Sequence, residues 1–267
     1  MSAMLDYYLV GIRLSIAQSL QYRLATYLWM LGMIAEPVIY LVVWQTVARS
    51  HGGSVSGYTA GQFAAYYIVW TLVRNINIVF TPYGWEPRIR QGQLSAWLLR
   101  PIHPIHWDLS FFAGRNLLSA LMWLPIAIPL TLIFRPTLRL TLLGIAAFVA
   151  ALIGAFLIRS LLLWALGMVT IWTTKVGGLF ELYISVEMIL SGRLVPIALL
   201  PQPIRSVSAF LPFQWTFAFP INALIGKLSP GQLAMGLVAQ LFWIVLAGGI
   251  VALFWRTSIK RYSAVGN

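Results

Sequence analysis

Long apolar stretches separated by short polar segments dominate the chain between residues 24 and 255. A membrane-spanning helix needs about 20 mostly apolar residues. The pattern predicts six such spans, the fifth becoming irregular after Leu190, at residues 24–47, 62–82, 114–134, 140–172, 176–190 and 232–255. Six spans would place both termini on one side of the membrane.

Residues 1–23 follow a different pattern, in which apolar side chains recur at helical spacing among polar ones. The apolar positions are Leu5, Tyr8, Leu9, Ile12, Ile16 and Leu20. A cleavable signal peptide needs an unbroken apolar run, which this segment lacks. The single stripe predicts an amphipathic helix in the membrane interface. The alternative is a polar extension of the first span.

Composition agrees with a membrane protein. Hydrophobic residues make up 60% of the 267 positions and charged residues 9%, against about 45–50% and about 25% in soluble domains. So few charges cannot cover the surface of a soluble globule, and the chain has no cysteine for disulfides. We therefore predict an all-α, polytopic membrane protein forming a single domain over residues 1–267.

The net charge of +12 comes from single or paired Lys and Arg residues near the ends of apolar stretches. This placement is typical of membrane topology and argues against nucleic acid as a partner. Ten basic residues lie near predicted span ends on the side of the termini and six on the other side. Positively charged loops favour the cytoplasm, so we predict cytoplasmic termini in the inner membrane.

Motifs for chemistry within the chain are absent from the sequence. It has no G-x-x-x-x-G-K-[ST] phosphate loop and no G-x-S-x-G nucleophile motif. His103 and His106 have a helical ligand spacing, but Pro104 separates them and no third ligand is near. We therefore predict no catalytic residue, no metal site and no cofactor in this chain, so that any ATP hydrolysis belongs to another protein.

The polar loop at residues 82–113 contains a short amphipathic pattern. Ile89, Leu94, Trp97 and Leu98 can share the apolar face of a helix, which the following prolines would end. An apolar helix face surrounded by arginines is suited to a groove in a partner protein. The alternative is a helix lying flat on the bilayer.

This loop carries the run G-x-L-x-x-x-L-L-R-P, which resembles permease subunits of type-2 ABC exporters, the uncharacterised or multidrug-type branch. The stretches SGRLVPIALLP (residues 191–201) and KRYSAVG (residues 260–266) are similar to the same branch. The resemblance implies two permease copies, identical or related, and two ATPase subunits that bind ATP and Mg²⁺. It implies that residues 82–113 hold a coupling helix contacting the ATPase, with the motif residues Gly92, Leu94, Leu98, Leu99, Arg100 and Pro101. The apolar face described above adds Trp97 to these coupling residues.

Residues 190–231, on the predicted outer side, are both proline-rich and strongly apolar. Proline at this density prevents a continuous helix, and the apolar side chains disfavour an ordinary exposed loop. We predict re-entrant helices whose backbone groups are covered by protein, and the resemblance implies an external lid here. The hypothesis is an outer gate in which Gly192 supplies the bend and Pro196 and Pro201 interrupt the helix. The rings that close the exit would be those of Phe210, Phe213 and Phe217. The alternative is a set of interfacial anchors.

Besides Arg115 at the start of the third span, five charged residues lie deeper within predicted spans, and each costs about 2.5–3.5 kcal/mol at the bilayer centre. Counting along the spans predicts two pairs, Glu36 with Arg74 and Arg159 with Glu181. Glu187 has no predicted partner and could line a path for a cationic or polar substrate. The alternative for each pair is a tie between helices without contact to substrate.

Two other functions compete with the exporter permease. An ion-coupled secondary transporter would need no ATPase and would use buried carboxylates as proton carriers. A membrane enzyme or assembly factor is the third possibility. The sequence leaves open the substrate and whether the two permeases are identical.

Overall fold

The computed structural model describes residues 2–32, 34–173 and 175–262. It is 79% helical, so the predicted all-α class is confirmed apart from one short β-hairpin. Residues 263–266 of the C-terminal motif lie outside the described residues. The helices and strands are α1 Ser2–Gln21, α2 Arg23–Gly32, α3 Ala35–Ser50, β1 Ser54–Val55, β2 Tyr58–Thr59, α4 Ala60–Ile76, α5 Trp85–Arg90, α6 Gln93–Leu98, α7 Pro104–Phe134, α8 Leu142–Met168, α9 Gly177–Leu190, α10 Gln202–Phe210, α11 Ala218–Leu224 and α12 Pro230–Ile259.

Four helical segments in the described part of the chain are long and apolar enough to cross a membrane. They are Arg23–Ser50, Pro104–Phe134, Leu142–Ile171 and Pro230–Ile259. Helices α4 and α9, at the predicted second and fifth spans, have only 17 and 14 residues. Helix α4 is also the most enclosed of the helices longer than ten residues, since most of its side chains are buried.

Local sequence sets several helix starts. Thr59 and Gln62 form a reciprocal capping box at the start of α4, and Ser229 and Gln232 form another at the start of α12. The Thr141 side chain accepts a hydrogen bond from a backbone amide in the first turn of α8. These polar side chains occupy amide groups that a helix start leaves free.

Helix α1 packs along α7 through small residues. The Gly11 backbone lies against the Ser110 side chain, and Gly114 lies against the Ile12 backbone, so neither glycine has room for a Cβ atom. This contact divides the predicted apolar stripe, because Leu5 and Leu9 are exposed while Ile12 faces α7. The packed face of α1 therefore includes small residues that hydrophobicity does not mark.

Two buried clusters lie at opposite ends of α8. The Trp70 cluster joins α4 to Phe148 and to Phe217 and Ile221 near α11. The Trp164 cluster joins the end of α8 to α5, α6 and α12, with the core residues Trp85, Leu94, Ile105, Trp164, Ala165, Met168 and Val251. At about 1.5 Å per helical residue, Phe148 and Trp164 are about 24 Å apart along α8. Residues 82–113 thus sit at one end of the bundle and the β-hairpin at the other.

Candidate functional site

The predicted coupling loop forms two short helices, α5 and α6, joined at Gly92, which has a left-handed backbone (φ +66°). Leu94 is fully buried in the Trp164 cluster, and Trp97 packs against the same cluster. The prediction that Leu94 presents itself to a partner is therefore wrong, whereas Trp97 is only partly buried and its contact with a partner stays a prediction. Apolar periodicity cannot distinguish a face turned to a partner from one turned to the chain's own core.

The exposed leucines of this segment lie in the turn at the C-terminal end of α6. Leu98 is 36% exposed and Leu99 88% exposed. The Arg100 guanidinium lies 4.3 Å from the Trp97 ring centroid. Beside them runs an open groove of about 300 Å³ lined by Trp97, Leu98, Arg100, Pro101, Ile102, His103, Pro104, Trp255 and Ile259. The segment therefore presents two leucines and an arginine on a base anchored in the bundle.

A buried ion pair fastens this base to the long helices. Arg88 of α5 donates two hydrogen bonds to Asp108 of α7, at 2.7 and 2.8 Å, and Trp164 of α8 donates to the same carboxylate at 2.9 Å. The Arg88 guanidinium also lies 4.1 Å from the Phe80 ring centroid. Sequence reasoning missed this site because Asp108 precedes the predicted span, although a lone carboxylate in an aromatic segment could have suggested it.

His103 and His106 serve the start of α7. His103 Nδ1 accepts a hydrogen bond from the Ile105 amide, and the His103 ring packs 4.2 Å from the Trp255 centroid. Burial in this aromatic setting, and secondarily His106, lower the pKa of His103 to about 4. Over residues 2–32, 34–173 and 175–262, no group of three or more His, Cys, Asp or Glu side chains could hold a metal ion.

Charged side chains from four elements meet in the interior. Arg74 contacts Glu36 at 2.5 Å, which is the predicted partner. The predicted pairing of Arg159 with Glu181 is wrong, because Arg159 donates to both oxygens of Glu187, at 2.8 and 3.0 Å.

Helix rotation explains this difference in partner. Glu187 lies on the buried face of α9 and is inaccessible to solvent. Glu181 lies on the exposed face, where it accepts a hydrogen bond from Tyr83 at 2.8 Å. Counting residues along a span estimates depth in the membrane but not the direction in which a side chain points. Glu187 is therefore neutralised by arginine and is not a free anion for a cationic substrate.

The segment at residues 190–231 is broken into short helical pieces attached to the bundle. Its turn at Gly192 has φ +87°, and a Cβ atom there would lie 2.7 Å from Tyr66 Oη. Tyr66 donates to the Gly192 carbonyl at 2.8 Å and Tyr67 to the Leu194 carbonyl at 3.0 Å. The tyrosine hydroxyl groups of α4 thus donate hydrogen bonds to backbone carbonyls that the broken helix would otherwise leave without a donor.

The residues assigned to an outer gate have different environments. Pro196 and Pro201 directly precede a 3₁₀ turn and α10, consistent with the predicted breaks. Phe210 is 82% exposed, whereas Phe213 packs edge-on against Tyr183 and Phe217 is buried in the Trp70 cluster. The three rings therefore do not form one constriction within this chain.

Comparison with known families agrees with this architecture. The sequence model of the ABC-2 family transporter protein family matches residues 14–266, nearly the whole chain. A comparison with curated proteins gives no match. The apolar helices and the family match make this a multi-pass membrane protein and a permease component of an ABC transporter. The chain therefore belongs to the ABC-2 family of transporter proteins.

Proposed function

We propose that the chain is the permease subunit of an ATP-driven exporter. It forms half of a translocation path with a second permease, identical or related. Each permease engages a separate ATPase chain, so that the complex holds two ATPase copies that bind ATP and Mg²⁺. The ABC-2 family match supports this division of labour, and so does the lack of a G-x-x-x-x-G-K-[ST] phosphate loop in the sequence.

The observation that carries the proposal is the exposed turn at Leu98–Arg100 on a buried base. Leu99 is 88% exposed beside Leu98 and an open groove, so the apolar surface of a partner can cover both leucines. Because Leu94 and the Arg88–Asp108 pair hold the base inside the bundle, a push on this turn is transmitted to α7 and α8 rather than absorbed by a loose loop.

We also propose six spans with cytoplasmic termini in the inner membrane. Helices α4 and α9 act as the second and fifth spans, although they are only about 26 and 21 Å long. Irregular backbone at membrane depth is tolerated where protein covers it. Asn116 covers it after α4 by donating to the carbonyls of Ile76 and Ile78, at 2.6 and 2.9 Å.

In this topology residues 190–231 form a re-entrant lid on the outer side. Its attachment to α4 through Tyr66 and Tyr67 supports movement of the lid together with that span. Ser208 of α10 donates to the Leu190 carbonyl at 2.7 Å, which holds the returning helix against the end of α9. Gly192 is the bend of this lid, and Phe213 and Phe217 join it to the bundle.

The ion pairs disfavour a proton-coupled transporter. A proton carrier needs a carboxylate that gains and loses its proton during the cycle. Glu187 and Asp108 each accept two hydrogen bonds from a buried arginine, and loss of the carboxylate charge would leave that arginine unpaired at high cost.

Co-purification with an ATPase subunit tests the proposal. Leu99→Asp should reduce ATPase association by about 30-fold or more, because the loss of an interface anchor costs about 2 kcal/mol or more. Leu138→Asp is the matched control, since Leu138 is an exposed leucine (39%) in the loop between α7 and α8 at the other end of the bundle. Normal association of the Leu99 variant, with normal transport, would refute the coupling role.

A further inference from the structure

Arg193 is a buried arginine whose hydrogen-bonding capacity is largely unused. It follows α9 and is 9% exposed. A guanidinium offers five N–H donors, yet Arg193 makes one long contact, from Nη1 to Glu187 at 3.4 Å. Its Nε atom has no hydrogen-bond partner among the described residues. An unpaired buried donor is costly, so this side chain is suited to an acceptor from outside the chain.

A second arginine shares its aromatic neighbour. The guanidinium carbons of Arg74 and Arg193 lie 5.1 and 5.9 Å from the centroid of the Trp70 ring. The Trp70 Nε1–H group also lacks a partner within the part of the chain that the structure describes. The guanidinium carbon of Arg193 also lies 5.2 Å from the centroid of the Phe217 ring. Aromatic faces hold the two planar cations in place without neutralising them.

The charge balance of this interior group is positive. Arg159 occupies both oxygens of Glu187 through two short hydrogen bonds, which leaves Arg193 a weak share of the same carboxylate. Glu36 is the counter-ion of Arg74. The group therefore holds three arginines and two glutamates. Arg193 carries both the excess positive charge and the unused hydrogen-bond donors.

The group opens to the surface at Arg74. The side chains of Arg74 and Glu36 are 20% and 32% exposed, compared with 10% for Arg193 and 0% for Glu187. Glu36 is bound by a single arginine nitrogen, whereas Glu187 is held by two from Arg159. The outer pair is therefore exchangeable, and the inner pair is the fixed support of the site.

We infer that Arg74, Trp70 and Arg193 form a binding site for an anionic oxygen group, a phosphate or carboxylate, carried by the transported molecule or by a lipid headgroup. The anion approaches at Arg74, competes with Glu36 and reaches the free donors of Arg193. Arginine suits this role because its planar fork binds two anionic oxygens at once. The assignment rests on the proposed permease function and names the substrate class as anionic.

The test uses the purified full-length chain without an ATPase, in phosphatidylcholine nanodiscs at constant sodium chloride. Arg74 is modified with phenylglyoxal, and its extent of modification is measured by mass spectrometry during titration with inorganic phosphate. A second arm replaces part of the phosphatidylcholine with phosphatidic acid and omits phosphate. If phosphate protects Arg74 from phenylglyoxal in the first arm, a soluble anion is enough to occupy the site. If Arg74 is protected only in the second arm, the anion is the lipid headgroup.

Arg193→Gln removes charged hydrogen-bond donors from the site. It should therefore raise the concentration of phosphate or phosphatidic acid that half-protects Arg74 from phenylglyoxal by about tenfold or more. Arg193→Lys, which keeps the charge without the fork, should give a smaller rise. Arg139→Gln, at an exposed arginine between α7 and α8, should leave protection unchanged. A cooperative thermal transition establishes that each variant is folded.

Absence of protection in both arms for the folded parent would overturn the inference, as would equal protection in Arg193→Gln and the parent. Because no ATPase is present, these outcomes are separate from the proposed function. If the complex transports but anions do not protect Arg74, the assignment of an anionic substrate is refuted and the exporter function stands. If anions protect Arg74 but the chain binds no ATPase, the exporter function is refuted and the anion site stands.

Discussion

Replacement of Asp108 by asparagine tests whether the base of the coupling segment is held by charge. Arg88 and Asp108 are 8% and 5% exposed and share two hydrogen bonds of 2.7 and 2.8 Å. The substitution keeps the size of the side chain and an acceptor for Trp164. It removes the counter-charge and leaves a buried guanidinium without compensation.

The expected loss in the free energy of unfolding is about 3–5 kcal/mol, the range for breaking one side of a buried ion pair. Replacing both partners, as Arg88→Met with Asp108→Leu, removes the charges together and should cost about 2 kcal/mol, through lost contact with the Phe80 ring and the loss of the acceptor for the Trp164 N–H group. The double variant is therefore expected to be more stable than the single one.

Unfolding in mixed micelles titrated with sodium dodecyl sulfate, followed by tryptophan fluorescence, measures these differences. Arg90→Gln is the control, because Arg90 is an exposed arginine of α5 and should change stability by about 0.5 kcal/mol or less. The reasoning fails if Asp108→Asn costs no more than Arg90→Gln, or if the double variant loses the sum of two single losses.

Three further predictions concern the bend, the pH dependence and the topology. Gly192→Val should destabilise the protein and lower transport while ATPase association persists, because a Cβ atom would lie 2.7 Å from Tyr66 Oη on a backbone of φ +87°; equal transport at equal expression would contradict this. Burial lowers the pKa of His103 from 6.5 to about 4, so the unfolded chain binds a proton that the folded chain does not. Unfolding free energy should therefore fall as the pH drops from about 6.5 towards 4, and His103→Asn, which keeps the helix cap, should flatten this slope in denaturation curves at several pH values. In this cysteine-free chain, Ser54→Cys should react with an impermeant maleimide in intact cells and Ala96→Cys should not; the reverse pattern would invert the topology.

Much of the fold was predictable because the relevant information is local. The sequence-based positions of the N-terminal helix and of the third, fourth and sixth spans lie within the observed helices or overlap them closely. The break after Leu190 was also predictable, because each proline removes a backbone donor wherever the chain folds. The short lengths of α4 and α9 were not, because their apolar flanks continue as irregular backbone bound by distant side chains.

The candidate sites were predictable only in part. The pairing of Glu36 with Arg74 could be derived from depth in the membrane, because both predicted spans place the charges at similar levels. The partner of Arg159 could not, because Glu181 and Glu187 differ in helix face rather than in depth. Leu94 likewise matches the coupling motif in sequence, yet the packing of α6 on Trp164 turns it inward.

The sequence by itself determined that this chain is a helical membrane protein whose helices are interrupted after Leu190, because hydrophobicity and proline content act on each segment separately. Only the tertiary structure decided which side chains share an interior. The meeting of Arg74, Trp70 and Arg193 depends on the relative rotation of α4 and the segment after α9, to within a fraction of a helical turn. Side-chain packing between distant segments sets that rotation, and no periodicity within one segment specifies it.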